Sequence, residues 1–196
     1  MQKIGITGGI GSGKSYFCRL LEIAGIPSFN ADVENKNLLN SDQEMRHELI
    51  QLFGEDCYTE KGFNKAKVAK LIFEDASLRE KMNAICHPRV ARRFEQWCEE
   101  QAQSNIQVVL LESAILFESG FDRFMDKVIL VTAPVNDRIE RTMKRDNCDQ
   151  QTVQSRMNAQ QSDEEKARRA DFILYNGPDD DPNKQVFELL AKLFDH

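Results

Sequence analysis

Residues 8–15 read GGIGSGKS and directly follow the apolar-leaning run IGIT at residues 4–7. The string matches the G-x-x-x-x-G-K-[ST] pattern of a phosphate-binding P-loop, in which a strand feeds a glycine-rich turn that opens a helix. Glycines let the backbone turn tightly and point N–H donors at phosphate oxygens, and the positive end of the following helix adds to the attraction. In this pattern Lys14 reaches the β- and γ-phosphates, and the Ser15 hydroxyl ligates magnesium. The predicted nucleotide site comprises Gly9, Gly11, Ser12, Gly13, Lys14, Ser15 and Tyr16.

The chain has 196 residues and a formal net charge of −6. This length suits one α/β domain with a sizeable core and a small inserted lid, whereas a motor or a transporter ATPase needs more chain. The acidic balance argues against a protein whose main work is gripping nucleic acid, because such proteins carry a basic excess. We therefore expect a small-molecule partner, and we predict a monomer or a weak homo-oligomer.

The five cysteines are widely spaced and form no C-x-x-C pair, so the sequence suggests neither a disulfide framework nor a zinc site. Thiols of this kind are typical of a reducing cytosol. No apolar run approaches the length of a membrane span, and Lys3 is followed at once by the predicted strand and the P-loop rather than by a signal sequence. These features predict a cytoplasmic protein with no membrane partner.

Short apolar runs alternate with helical patterns along the chain, which is typical of a parallel sheet with helices packed on its faces. Two runs, VVLL at residues 108–111 and VILV at residues 128–131, are continuous, as expected for strands buried on both sides. The predicted strands are residues 4–7, 26–29, 108–111, 128–131 and 172–175. Together with the P-loop, they predict a P-loop NTPase fold of the α/β class, with three α/β/α layers around a parallel sheet.

A long helical stretch separates the second strand from the third, and a polar segment follows the fourth. We interpret residues 1–196 as a single P-loop unit with three parts: a core at about 1–30, 105–148 and 170–196, a helical acceptor-binding insertion at about 31–104, and a small helical lid at about 149–169. The lid segment is rich in Gln and Ser, and this composition suits a mobile element.

Three local signals mark helix starts. Ser77 with Glu80, and Ser162 with Glu165, each fit the S-x-x-E pattern of a capping box. Asp181 stands before a proline and predicts the start of the C-terminal helix, because Asp is a favoured cap and Pro is favoured in the first turn.

Chemistry is expected at the carboxyl ends of the parallel strands, where ligands bind open α/β sheets. Asp32 follows the second strand, where a carboxylate facing the P-loop can accept the proton of an attacking hydroxyl. From position alone, a base and an N-cap for a helix beginning near Val33 are equally good interpretations of Asp32. Glu112 ends the third strand, where a carboxylate is expected to hold magnesium through water. The alternative for Glu112, and for Glu118 beyond it, is an ordinary surface charge.

A group of basic residues follows the fourth strand. Arg138, Arg141 and Arg145 share one face of a predicted helix, and arginines over a P-loop can clamp the migrating phosphoryl group. The alternative is a surface helix whose arginines pair with nearby acidic residues. We interpret Arg141 and Arg145 as functional, and Arg138 and Lys144 as surface residues. His87, taken alone, is more typical of a packed or surface histidine than of a ligand contact.

With these residues in view, the chain resembles the dephospho-coenzyme A kinase family over essentially its whole length. The opening ITGGIGSGKS at residues 6–15 is similar to that family's own version of the P-loop. Further motifs follow in the family's order and approximate spacing: Ala31-Asp32, His87-Pro88, Leu116-Phe117-Glu118, Arg141 with Arg145, Gln160, Ala170-Asp171 and Asn176-Gly177. The positions that differ from the family's usual pattern are Asn30 for a common aspartate, Tyr16 for a small threonine, and Glu112-Ser113-Ala114 for a common D-x-P.

The resemblance implies phosphorylation of the ribose 3′-hydroxyl of dephospho-CoA by ATP, with Mg²⁺ as the cofactor, in the last step of coenzyme A synthesis. By the same resemblance, Asp32 is the catalytic base, and Lys14 and Arg141 steady the transferred phosphoryl group. The residues implied on the acceptor side are His87, Leu116 and Glu118, together with Asp32. The further residues implied at ATP are Arg145, Asn176 and Gly177, of which the last two border the adenine.

Two other functions remain open from the sequence. A P-loop kinase of a nucleoside or a nucleoside monophosphate shares the architecture and differs in the acceptor pocket. Only the H-P and L-F-E segments favour a CoA precursor as the acceptor. A GTP-binding switch is expected to carry an N-K-x-D string after an apolar strand, and this sequence contains no such string.

Overall fold

The computed structural model describes residues 1–194, so the last two residues of the predicted core range 170–196 lie outside the described residues. The chain divides into two compact units, one formed by Met1–Asn30 with the chain from Glu100 onward, and the other by Ala31–Glu99. Within the described residues, the helices are either too short or too polar to cross a membrane.

The elements alternate between strands and helices in the first unit, whereas helices dominate the second. In residues 1–194 the strands are β1 (Gln2–Thr7), β2 (Ser28–Asn30), β3 (Tyr58–Thr59), β4 (Gly62–Phe63), β5 (Val108–Glu112), β6 (Lys127–Thr132) and β7 (Phe172–Tyr175). The α-helices of the same residues are α1 (Lys14–Ile23), α2 (Ala31–Ser41), α3 (Gln43–Phe53), α4 (Lys65–Glu74), α5 (Ala76–Gln103), α6 (Val135–Asp146), α7 (Gln150–Asn158), α8 (Asp163–Ala167) and α9 (Pro182–Phe194). Short 3₁₀ helices lie at Glu55–Cys57 and Phe121–Phe124.

The main sheet is parallel, has the strand order β2-β5-β1-β6-β7, and carries helices on both sides. The prediction of a three-layer α/β fold is confirmed. β1 is central, pairing with β5 where Gln2 lies beside Val108 and with β6 where Ile4 lies beside Lys127. Every residue of β5 is buried, as its continuous apolar run predicts. The P-loop therefore leaves the sheet from the middle of its carboxyl edge.

The second strand begins later than the sequence predicts. β2 starts at Ser28 rather than at Ile26, because Pro27 has no N–H to donate to the sheet. The Pro27 carbonyl oxygen accepts a hydrogen bond from Leu110 N at 2.9 Å, and pairing continues from there. The strand also extends to Asn30, which places that residue beside β5.

One core of the first unit is formed by the sheet, α1 and α9. Phe17 and Leu21 of α1 are fully buried, and α9 contributes Val186, Leu189 and Leu193. The apolar stripe of the C-terminal helix is therefore core packing, as the sequence predicts.

Two of the three predicted helix starts are confirmed. α8 begins with a complete capping box, in which Ser162 and Glu165 exchange both hydrogen bonds. α9 begins after Asp181, whose carboxylate accepts from two backbone N–H groups of the first turn at 3.0 and 3.1 Å. α5 begins earlier than predicted, because Asp75 precedes it and accepts from Ser77 N at 2.9 Å.

The second unit, Ala31–Glu99, contains α2, α3, α4, most of α5 and the hairpin β3–β4. Arg89 of α5 pairs with Glu48 Oε1 at 2.7 Å and with Asp42 Oδ2 at 3.4 Å, which ties α5 to α3. Its core includes Met45, Leu49, Cys57, Val68 and Cys86. The hairpin has no counterpart among the predicted strands, because strands of two residues are too short to show an alternating pattern.

Candidate active site

The P-loop joins the end of β1 to the start of α1. Gly11 and Gly13 have φ angles of 80° and 93°, a backbone region that favours glycine. A Cβ atom at Gly11 would meet the Arg138 carbonyl oxygen, and one at Gly13 would meet the Asn176 side-chain amide. Gly13 directly precedes α1, so the N-terminus of this helix opens into the loop. The backbone thus makes the tight turn for which the motif needs glycine.

A hydroxyl and a carboxylate meet beside the P-loop. Ser15 Oγ donates to Glu112 Oε1 at 2.7 Å, and Asn30 Nδ2 donates to Glu112 Oε2 at 2.8 Å. Glu112 ends β5 and is only 6% exposed, so these two bonds fix a buried carboxylate. Hydroxyl and carboxylate oxygens are donors that Mg²⁺ takes directly or through water. Ser15 and Glu112 therefore fit this ion.

Cys18 of α1 is buried close to the same carboxylate. Burial raises the pKa of the Cys18 thiol well above its usual range, and the negative charge of Glu112 raises it further. The thiol is therefore protonated at neutral pH, and we assign it to packing rather than to chemistry.

Polar groups line the P-loop. Lys14 Nζ donates to the Gly8 carbonyl oxygen at 3.0 Å, so the side chain folds back across the loop. The hydroxyl oxygens of Thr7 and Ser12 are buried, and they find no hydrogen-bond partner within residues 1–194. Buried polar atoms are nearly always satisfied, so two such atoms at one loop fit a loop that holds a polar ligand.

Arg138 of α6 supports the P-loop from beside Gly9. Arg138 Nε donates to the Ile10 carbonyl oxygen at 3.0 Å, and Arg138 Nη1 pairs with Asp163 Oδ2 at 2.9 Å. A Cβ atom at Gly9 would run into the guanidinium. The interpretation of Arg138 as an exposed residue of a salt-bridged surface helix is wrong. Its side chain is 7% exposed, and its acidic partner lies 25 residues further along the chain rather than on its own helix.

The segment that leads into α8 also contacts the P-loop. Gln160 Oε1 accepts a hydrogen bond from the Ile10 N–H at 2.9 Å. Ile10 is thus held at its N–H by Gln160 and at its carbonyl by Arg138. Asp163 accepts in addition from Thr132 Oγ1, so the end of β6, helix α6 and helix α8 converge next to the P-loop.

Asn176 and Arg141 join the end of β7 to the P-loop. Asn176 Nδ2 donates to the Ser12 carbonyl oxygen at 2.9 Å, and Arg141 Nη2 donates to the Asn176 carbonyl oxygen at 2.9 Å. Asp137 Oδ2 lies 4.0 Å from the same guanidinium nitrogen. The structure therefore brings together three of the residues that the sequence places at the nucleotide: Ser12, Arg141 and Asn176.

Comparison with known proteins identifies the family that shares these features. The family model of dephospho-CoA kinase matches residues 2–181 of this chain. A dephospho-CoA kinase from Bacteroides fragilis (strain YCH46) is 40% identical over 192 residues, covering 98% of this chain and 93% of that protein. This chain belongs to the dephospho-CoA kinase family. The family resemblance drawn from the sequence motifs is confirmed.

Solved structures share the fold of this dephospho-CoA kinase family member. TT1252 from Thermus thermophilus is 30% identical, with a TM-score of 0.85 and coverage of 98% of this chain and 97% of that chain. The dephospho-CoA kinase from Campylobacter jejuni is 22% identical, with a TM-score of 0.70 and coverage of 98% of each chain. At 22% identity, the second likeness establishes the fold alone.

The loop after β5 carries the L-F-E motif of the dephospho-CoA kinase resemblance. Glu118 Oε1 accepts from the Gln161 N–H at 2.9 Å and pairs with Lys166 Nζ at 3.1 Å. Leu116 is fully buried, and a Cβ atom at Gly5 would lie 2.6 Å from Leu116 Cδ2. The Leu116 side chain therefore packs in the core next to Gly5 of β1, and its role at the acceptor remains a prediction.

Three other residues that are predicted to lie at ATP make contacts of their own. Arg145 Nε donates to Asp146 Oδ1 at 2.7 Å, and this ion pair is exposed. Tyr16 is 41% exposed, and its ring meets that of Phe17 edge-on at a centroid distance of 6.1 Å. The Gly177 N–H donates to a nearby aspartate at 2.6 Å. Their roles at ATP therefore remain predictions.

Asp32 and His87 belong to the second unit. α2 begins at Ala31, so Asp32 lies in the first turn of the helix, and its interpretation as the cap of a helix near Val33 is wrong. The Asp32 side chain is exposed. His87 lies inside α5, which continues through the following proline. Burial lowers the pKa of His87, so its imidazole is neutral at pH 7.

No function is predicted from the sequence for Arg138, Asp163 or Lys166. Each of them pairs with a residue far along the chain, and such pairs leave no short-range pattern. One signal was present for Arg138, because it lies one and four residues before Ile139 and Thr142 on the face of α6 that is buried.

Proposed function

We propose that this chain transfers the γ-phosphoryl group of ATP to the 3′-hydroxyl of the ribose of dephospho-CoA, which yields coenzyme A. The family match over residues 2–181 carries the proposal, because that range takes in the P-loop, the ends of the parallel strands and the segment around α8. A kinase of a nucleoside or a nucleoside monophosphate is not favoured, since the relatives that match are dephospho-CoA kinases.

On the ATP side, we assign the phosphates to the P-loop backbone and to Lys14. Lys14 and Arg141 offset the negative charge of the migrating phosphoryl group, a type of contact that contributes about 10³–10⁵ in rate when an arginine makes it. Asn176, which holds both the P-loop and Arg141, borders the adenine together with Gly177. This set is supported by the hydrogen bonds from Asn176 to Ser12 and from Arg141 to Asn176.

Ser15 and Glu112 are the residues that we assign to Mg²⁺, with Glu112 acting through water. The bound ion supplies charge neutralisation at the phosphate oxygens. Asn30 keeps the Glu112 carboxylate oriented through its bond to Oε2, while Ser15 occupies Oε1. The donor set and its burial support this assignment.

On the acceptor side, Asp32 is the proposed base. As the 3′-hydroxyl oxygen forms its bond to the γ-phosphorus, its proton passes to the Asp32 carboxylate and ADP departs. The first turn of α2 follows the end of β2 by one residue, at the strand end where the sequence places a base. His87 and Glu118 are proposed to bind the acceptor, and a neutral imidazole both donates and accepts hydrogen bonds.

The test is ADP release from Mg-ATP by the purified protein with dephospho-CoA, adenosine, AMP, CMP or dTMP as acceptor. We expect turnover with dephospho-CoA and identification of the product as coenzyme A. Preferential turnover of a nucleoside or nucleotide would overturn the proposed acceptor while leaving the fold and the P-loop unaffected. Lys14→Ala is the control for contaminating kinases, because it removes the cation that faces the phosphates.

We also propose a cytoplasmic enzyme that acts as a monomer or a weak homo-oligomer on ATP and dephospho-CoA, with neither nucleic acid nor membrane as a partner. All five cysteines are free thiols, which suits a reducing compartment. Size-exclusion chromatography with light scattering over a concentration series tests the oligomeric state.

A further inference from the structure

Lys166 of α8 is a lysine whose side chain is 0% exposed. A lysine is rarely fully buried, because removing the ammonium from water is costly unless partners replace the lost hydration. Lys166 Nζ has two such partners, donating to the Ala114 carbonyl oxygen at 2.9 Å and pairing with Glu118 Oε1 at 3.1 Å. Both partners lie in the loop after β5, 52 residues from Lys166 in the case of Ala114.

The position of Glu118 is fixed from the same segment. Glu118 Oε1 accepts the Gln161 N–H at 2.9 Å as well as facing Lys166, so two donors from around α8 determine where this oxygen lies. The Glu118 side chain remains 22% exposed, so the carboxylate still reaches the solvent side of the loop. Lys166 itself has no exposed surface and cannot touch a substrate.

Neighbouring contacts make the loop rigid on the same side. The Arg169 guanidinium lies 4.1 Å from the centroid of the Phe117 ring and pairs with Asp122 Oδ2 at 2.6 Å. Phe117 directly precedes Glu118 in the L-F-E motif. These contacts fix the backbone next to Glu118. What Lys166 adds is the orientation of the Glu118 carboxylate.

A buried ion pair is a weak device for stability, because desolvation offsets most of the attraction. In the pair of Lys166 and Glu118, only Glu118 remains partly exposed. Orientation of the Glu118 carboxylate therefore explains the pair better than stability does. We infer that Lys166 is a positioning residue for the acceptor, acting only through Glu118. It holds the Glu118 carboxylate in one orientation, so that Oε1 is committed to the protein and Oε2 is left to bind the acceptor. This inference rests on the proposed function of Glu118.

The experiment is steady-state kinetics of the full-length enzyme carrying Lys166→Met, Glu118→Gln or both, with dephospho-CoA and ATP varied in turn. For Lys166→Met we expect the KM for dephospho-CoA to rise about 10- to 100-fold, as for loss of one charge-assisted hydrogen bond. The KM for ATP should stay within about twofold, because Lys166 has no contact with the P-loop in the described hydrogen bonds. Arg168→Gln is the matched control, since it removes an equal charge from an exposed position two residues away.

The double variant separates positioning from folding. If Lys166 acts through Glu118, adding Lys166→Met to Glu118→Gln produces no further rise in the KM for dephospho-CoA. The double variant also removes the Glu118 charge that Lys166→Met leaves without its partner, so it keeps the test available if Lys166→Met alone does not fold. An additive rise, an equal rise in both KM values, or an unchanged KM for dephospho-CoA in Lys166→Met would overturn the inference. Absence of any turnover of dephospho-CoA by the unmodified enzyme would instead overturn the proposed function.

Discussion

Asp32 is the residue on which the proposed chemistry depends most. Asp32→Asn removes the proton acceptor but keeps the size of the side chain, so kcat should fall by about 10²–10⁴ while the KM for ATP stays nearly constant. Glu34→Gln is the matched control, because Glu34 lies in the same first turn of α2 and its substitution also removes one negative charge. Steady-state kinetics of both variants is the measurement. Unchanged turnover in Asp32→Asn would leave Asp32 as an ordinary acidic residue of a helix N-terminus.

Arg138 contacts the backbone of the P-loop, where we propose that the phosphates of the nucleotide bind. Arg138→Gln should weaken binding of ADP about 10- to 100-fold, because Ile10 loses a charge-assisted hydrogen bond to its carbonyl. Lys144→Gln is the control, since it removes an exposed positive charge of the same helix. Isothermal titration calorimetry gives the two dissociation constants. Equal affinities in the two variants would show that Arg138 is merely a packed residue.

Among the helices and strands, local capping signals predicted where helices start, except where a neighbouring residue took the capping role. The box at Ser162 and the cap at Asp181 hold in the structure because their hydrogen bonds lie within one turn of the chain. At α5 a second candidate, Asp75, stands two residues before Ser77 and takes the capping role. The predicted lid at about 149–169 contains α7 and α8, and its motion stays a prediction.

Helix α5 should make the stability of the protein depend on pH through His87. Burial lowers the pKa of His87 below its usual value of 6.5, so the folded state disfavours the proton that the unfolded state takes up. The contribution of the neutral His87 imidazole to the free energy of unfolding is therefore fully present above pH 6.5. It is lost as the pH falls from 6.5 towards the lowered pKa. We measure the free energy of unfolding in urea at pH 7.5 and at pH 5.5. Acidification should lower this free energy less in His87→Gln than in the unmodified protein.

His47→Gln is the control for that experiment, because His47 is an exposed histidine of α3. Its unfolding free energy should keep the pH dependence of the unmodified protein. The same pH dependence in His87→Gln as in His47→Gln would contradict a role for the buried imidazole.

At the scale of the whole molecule, the sequence predicted what depends on neighbouring residues. The P-loop, the continuous strand runs and the family motifs each lie within about ten residues, and they were sufficient for the fold and the family. The contacts that complete the site join distant segments: Ile10 to Gln160 over 150 residues, and Ser15 to Glu112 over 97 residues. Such pairs depend on the order of strands in the sheet, and without it Arg138 was interpreted as a surface residue.

Nucleotide binding should stabilise the whole chain, because ATP binds the folded P-loop and the unfolded chain has no formed P-loop. At a concentration about 100 times the dissociation constant, this linkage contributes about 2.7 kcal/mol. For a chain of this size, that free energy corresponds to a rise in Tm of about 5–10 °C. Differential scanning calorimetry with and without Mg-ATP measures the shift. Lys14→Ala should lose most of it, whereas Lys144→Ala, an exposed lysine of α6, should retain it. A full shift in Lys14→Ala would place the stabilising nucleotide outside the P-loop, and the assignment of ATP to this loop would then be wrong.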